Sequence, residues 1–215
     1  MEPCEETLST YISTLYKESN NINECDRNNC DVLSLSACQQ AASGLSYIHQ
    51  NNLIHGDIRP NSIVVCPKRI RPEKNDVTCK IAYLGLRRRI SDNELNLSSR
   101  LDYEVLDWLA PELWHTPSKQ DYKVDLWSFG CALHHALTGG RHPFGGGLHR
   151  RALNIISGNY DEGILRAHCV LQQRELPEKL AKLITCMISL NPSDRPDASK
   201  VVAILQECIS LCAKN

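Results

Sequence analysis

His55-Gly56-Asp57-Ile58-Arg59-Pro60-Asn61-Ser62-Ile63 is a polar loop set between two segments of different period. Before it, Leu33 to Gln50 places Leu35, Cys38, Ala41, Ala42, Leu45 and Ile48 on one side at helical spacing, so an amphipathic helix leads into the loop. After it, Ile63-Val64-Val65 is a short apolar run. Beyond a polar stretch with Pro67, Pro72 and Asn75 comes a second run, Thr78-Cys79-Lys80-Ile81-Ala82. The two runs predict a small β-hairpin with a long connection.

Further along, Arg87 to Leu106 is charged, serine-bearing and aperiodic, the pattern of an exposed loop. Everything after it reads as helix. Val124 to Leu137 is almost continuously apolar, through Leu126, Trp127, Phe129, Ala132, Leu133, Ala136 and Leu137, which predicts a buried central helix stopped by Gly139-Gly140. Later helices are expected over Leu148 to Ser157, Pro177 to Leu190 and Ala198 to Cys212; the last carries Val201, Val202, Leu205, Cys208, Ile209 and Cys212 on one face. No repeat or low-complexity tract interrupts this, so the fold class is mainly α with a small β-hairpin.

The 215 residues are 42% hydrophobic and 23% charged, enough to bury one core. Lys plus Arg number 24 against 25 Asp plus Glu, and the formal charge of -1 supplies no basic field for nucleic acid or an anionic membrane. Arg87-Arg88-Arg89 is too short to alter that. The opening Met1-Glu2-Pro3-Cys4-Glu5-Glu6 has no signal-peptide character and no stretch is apolar enough for a membrane span, which predicts a cytoplasmic protein. Eleven cysteines, an odd number scattered from Cys4 to Cys212, fit reduced thiols better than a disulfide scaffold. Neither Cys25 with Cys30 nor Cys208 with Cys212 has zinc-ligand spacing, so no metal is expected.

The loop resembles the catalytic loop of protein kinases, H-R-D-L-K-x-x-N, whose Asp accepts the substrate hydroxyl proton and whose Asn holds magnesium. Three more landmarks follow in order. Leu109-Ala110-Pro111-Glu112 looks like the A-P-E motif, Asp125-Leu126-Trp127-Ser128-Phe129-Gly130 like the D-x-W-S-x-G helix start, and Asn191-Pro192-Ser193-Asp194-Arg195-Pro196 like the turn whose Arg pairs with the A-P-E Glu. Within the superfamily, Gly140-Arg141-His142-Pro143-Phe144-Gly145 with the later Ala152-Leu153-Asn154-Ile155 resembles the inositol-requiring kinase-endoribonucleases of the unfolded protein response. Cys4-Glu5-Glu6-Thr7-Leu8-Ser9-Thr10-Tyr11 and Gly44-Leu45-Ser46-Tyr47-Ile48-His49 are similar to the same family, the first just past its interlobe hinge. The resemblance implies residues 1–215 as one truncated kinase-like domain: the C-terminal lobe, with its activation-loop equivalent at about 83–112 and the N-lobe absent.

Departures from the family pattern concern the parts that handle MgATP. Tyr83-Leu84-Gly85 stands where the family has D-F-G, so a phenol with a reference pKa of about 10 replaces a magnesium carboxylate. Ser62 occupies the Asn position, and Asn61 lies one residue early. Gly56 replaces the loop arginine that grips a phosphorylated activation loop, Arg59 replaces the Lys near the γ-phosphate, and Val105 replaces a threonine hydroxyl. Glycine-rich loop and strand lysine would belong to the N-lobe. Asp57 alone, as a general base, supplies only about 10²- to 10⁴-fold and does not replace electrostatic clamping of the phosphates.

Each retained residue also has a structural reading. Asp57 is either a vestigial base or a carboxylate capping loop amides, and Asp125 looks like a support for the loop backbone. Glu112 with Arg195 is, by resemblance, a buried ion pair. His134-His135 read as packed core histidines rather than ligands, and Ser91, Ser98 and Ser99 as a solvated loop or as phosphorylation sites.

The expectation is a non-enzymatic pseudokinase lobe without cofactor, acting by binding another protein kinase through its N-lobe or dimer surface, and regulating or decoying a Ser/Thr stress-response kinase. The alternative is a Ser/Thr kinase fragment whose ATP-binding N-lobe lies elsewhere. The family's endoribonuclease domain follows its kinase domain, whereas this chain ends at Cys212-Ala213-Lys214-Asn215, so RNA cleavage is not expected.

Overall fold

A computed structural model of the chain describes residues 6–19, 24–67, 77–82, 106–115, 121–160, 163 and 176–212. It is mostly helical. In chain order the elements are β1 (Glu6–Thr7), α1 (Leu8–Ser19), α2 (Glu24–Gln50), β2 (Ile63–Pro67), β3 (Val77–Ile81), α3 (Glu112–His115), α4 (Lys123–Leu137), α5 (Leu148–Ser157), α6 (Leu176–Met187), a 3-10 turn (Pro192–Asp194) and α7 (Ala198–Cys212).

The expected hairpin forms, with β2 antiparallel to β3, and a further strand joins it to give a three-stranded sheet in the order β1-β2-β3. Glu6 and Thr7 pair with Val65 and Val64, while Ile63, Val65 and Pro67 pair with Ile81, Cys79 and Val77. A two-residue strand is too short to show an alternating pattern, so β1 exists only because β2 offers it a ladder. The outer edge of β3 is closed differently. Gln40 on α2 donates from Nε2 to Val77 C=O and accepts the Cys79 N–H at Oε1, both at 2.9 Å. One amide side chain thus takes the place of a fourth strand and covers groups that would otherwise template aggregation.

The helices also differ from the sequence reading, and the one expected over Pro177 to Leu190 spans Leu176–Met187. Helix α2 begins at Glu24 rather than Leu33, since its first turns are polar and show no apolar period. Helix α1 was not expected at all, although Leu8, Tyr11 and Ile12 are buried and Leu15 packs beside them, at i, i+3, i+4 and i+7. Thr7 caps it, its Oγ1 accepting the Thr10 N–H at 3.3 Å. Tyr16 then ties α1 to the end of α4 through an Oη donation to Leu137 C=O.

Helix α4 is the central element. Every residue from Val124 to Leu137 except His135 is buried, so the helix is apolar all round and enclosed on all sides. It packs against α2 and α6, while α2 runs along α7 and covers β3. Gly130 sets the approach to α6: a Cβ there would lie 2.8 Å from Met187 Cβ and 3.0 Å from Ile188 Cγ2. No helix among the described residues is long and apolar enough to cross a membrane.

Candidate functional site

The loop between α2 and β2 is held from below by one carboxylate. Asp125, 1% exposed in the first turn of α4, accepts the His55 N–H at 2.9 Å and the Gly56 N–H at 2.8 Å, and its Oδ2 pairs with His49 Nε2 at 2.9 Å. Gly56 sits at φ 74°, a left-handed conformation that glycine adopts without a Cβ penalty. His55 fixes the loop from the side. Since Ala82 C=O only accepts, Nε2–H must donate to it at 2.9 Å, leaving Nδ1 to accept the Asp57 N–H at 3.3 Å. The loop is thereby tied to β3 immediately before residue 83.

Asp57 and Arg59 face each other, Oδ1 to Nε at 3.3 Å, with side-chain exposures of 16% and 25%. The contact is an ion pair without hydrogen-bond geometry, because Arg59 Nε has no hydrogen-bond partner. Ser62 points inward. It is 1% exposed; its Oγ accepts the Arg59 N–H at 2.9 Å and donates to Arg59 C=O at 3.0 Å, while its backbone C=O accepts the Ala82 N–H. A hydroxyl buried and engaged in both roles by its own loop does not fit a magnesium ligand. Asn61, one residue earlier, is exposed. Tyr83, Val105, the arginine run at 87–89 and Ser91, Ser98 and Ser99 lie outside the described residues, as does most of the activation-loop equivalent.

Behind the loop, Glu112 and Arg195 form a two-pronged ion pair, Nη1–Oε1 at 2.5 Å and Nη2–Oε2 at 2.9 Å. Arg195 also donates to Ser189 C=O and Lys123 C=O, and its guanidinium lies 5.1 Å from the Trp127 ring centroid. Segment 106–111 is fastened to the helices by three side chains that sequence reasoning gave no role. Ser128 Oγ donates to Trp108 C=O at 2.8 Å, His142 Nε2 to Asp107 C=O at 3.0 Å, and Arg151 pairs with the Asp107 carboxylate. Ser128, His142 and His49 lie within quoted motifs, so a signal for them existed; Arg151 lies just before the quoted Ala152-Leu153-Asn154-Ile155.

No group of three or more His, Cys, Asp or Glu side chains among the described residues is placed to hold a metal ion. Cys38, Cys131, Cys186 and Cys208 are free thiols.

The family model of protein tyrosine and serine/threonine kinases matches residues 7–205. The chain belongs to this kinase family. It is 27% identical over 205 residues to the serine/threonine-protein kinase/endoribonuclease ire-1 of Caenorhabditis elegans, covering 94% of this chain and 19% of that protein. The serine/threonine-protein kinase/endoribonuclease IRE2 of Homo sapiens is 30% identical over 172 residues, 77% of this chain and 17% of that one. The probable serine/threonine-protein kinase ireA of Dictyostelium discoideum is 29% identical over 161 residues, 74% and 14% respectively. This kinase-family chain therefore spans less than a fifth of the length of these relatives.

Proposed function

We propose that this kinase-family chain is a helical C-lobe that does not transfer phosphate and acts by binding another protein kinase of the same family. The observation that carries the reading is Ser62. At the position where the family holds magnesium, the side chain is turned into the loop and both its hydrogen-bonding roles are taken by Arg59. The scaffold around it is retained: Asp125 braces the loop and Arg195 grips Glu112. A lobe that keeps the family's framework without its metal-holding group is suited to pairing with a related kinase and modulating it.

Thermal unfolding of the chain titrated with ATP, with and without magnesium, tests this, because a ligand that binds only the native state raises the midpoint. The midpoint is expected to show no magnesium-dependent rise, and the chain is expected to co-purify with the kinase domain of a relative when the two are co-expressed. A magnesium-dependent rise, or no association with any related kinase domain, overturns the proposal.

The second reading is a Ser/Thr kinase completed by an N-lobe, and it is favoured by Asp57, whose partly exposed carboxylate stands beside Arg59 on a braced loop. Under that reading, phosphotransfer by the chain combined with an N-lobe falls at least a hundredfold on Asp57→Asn.

A further inference from the structure

Trp108 lies between two histidines from different parts of the fold. Its ring centroid is 4.8 Å from His142 and 5.7 Å from His135, both edge-on. Each histidine is in surroundings that accept only the neutral ring.

His142, 7% exposed, uses both nitrogens: Nε2–H donates to Asp107 C=O at 3.0 Å, and Nδ1 accepts the Phe144 N–H at 3.3 Å. A proton on Nδ1 would meet that N–H head-on and break the bond. His135 Nε2 is buried without a hydrogen-bond partner, so a charge on that ring has no acceptor there.

The charged neighbours add to this. Arg151 comes from α5 and is fastened to Asp107, Gly145 C=O and Gly146 C=O; His134 of α4, bonded through Nδ1 to Arg141 C=O, stands beside His135. Burial first and then Arg151 hold His142 well below the ordinary histidine range, against an opposing pull from Asp107 C=O that outranks the further small contributions of His134 and His135. Burial, then His134 and Arg151, bring His135 down to about 4.

We propose that His142 and His135 form a proton-operated latch on segment 106–111, closing it onto α4 and α5 while both rings are neutral and releasing it when they take up protons. Opening the segment frees the rings from Trp108 and Asp107, so their pKa returns toward about 6.5 and acid favours the open form. Release unseats Trp108 while the α2–α7 packing stays closed. The latch does not depend on whether the chain transfers phosphate.

Hydrogen exchange on the full chain at pH 7.5 and 5.5, corrected for the intrinsic rate, tests it. The Leu109 amide, bonded to Leu106 C=O within this segment, and the Leu113 amide, bonded from α3 back to Ala110 C=O in it, are the reporters. Their protection is expected to fall about tenfold for each histidine freed, with α7 amides unchanged. In His142→Gln, whose amide nitrogen reaches for the same carbonyl, the fall is expected to shrink by about tenfold. Protection independent of pH, α7 amides falling in step with the segment, or a variant with wild-type pH dependence would each overturn the latch. If His142→Gln does not fold, the wild-type contrast between segment and α7 decides it.

Discussion

Arg195 holds both carboxylate oxygens of Glu112 across 83 residues of chain, with Nη1 at 2.5 Å and Nη2 at 2.9 Å. The guanidinium is fully buried and the carboxylate 22% exposed, so removing one partner leaves a charge that water reaches poorly. Glu112→Ala is expected to lower stability by about 3 to 5 kcal/mol, read from the midpoint of urea unfolding. A loss below about 1 kcal/mol would mean that Arg195 is held by its bonds to Ser189 and Lys123 instead.

Asp125 gives a sharper test, because it is an acceptor for two backbone amides and the His49 ring at once. Asparagine is nearly isosteric but turns one oxygen into a donor, which would face an N–H of the loop. Asp125→Asn is therefore expected to cost about 3 kcal/mol or more. Rapid proteolysis between α2 and β2 in the variant would place the damage at the loop. An unchanged unfolding midpoint would contradict the clamp.

Gln40 stands in for a strand, and Gln40→Ala uncovers Val77 C=O and the Cys79 N–H together. A loss of about 1 to 3 kcal/mol is expected. Light scattering should also show faster aggregation at raised temperature, since the edge of β3 becomes available for pairing. Equal aggregation rates in variant and parent would refute the edge-covering role.

Buried thiols set the alkaline limit. Burial pushes Cys38 and Cys131 upward, with Cys79 adding to the first and Arg195 and Arg151 opposing the second, and burial brings Cys208 up to about 11. In the unfolded chain a thiol ionises near 8.5. These raised groups therefore contribute stability that is fully present below about pH 8.5 and lost as pH rises toward the folded values, by up to about 1.4 kcal/mol per pH unit for each thiol. Urea midpoints measured under reducing conditions from pH 8 to 10 should fall. In native protein, exposed Cys186 should be alkylated ahead of buried Cys38 and Cys131, which react only on unfolding. Native alkylation of Cys131 at the rate of Cys186 would contradict this.

The loop at 55–62 and the motifs at 109–112, 125–130 and 191–196 were legible because each is contiguous and stands in the family's order. The central helix was legible for a different reason: a segment enclosed on all sides is apolar at nearly every position, whatever its neighbours are. Helix α1 was equally available at Leu8, Tyr11, Ile12 and Leu15 but lay in a stretch read for its resemblance to a hinge.

Other features depend on groups far apart in the chain. The sequence alone determined the kinase family, the helical framework and the substitution of Ser for Asn at position 62. Only the tertiary structure decided that Ser62 turns inward, that Gln40 closes the sheet, and that Trp108 packs against both His135 and His142. Periodicity and motif spacing report which face of an element is buried. A hydrogen bond also depends on which donor and acceptor meet, and that is set by packing between segments such as α2 and β3, or 106–111 and α4, that no local pattern brings together.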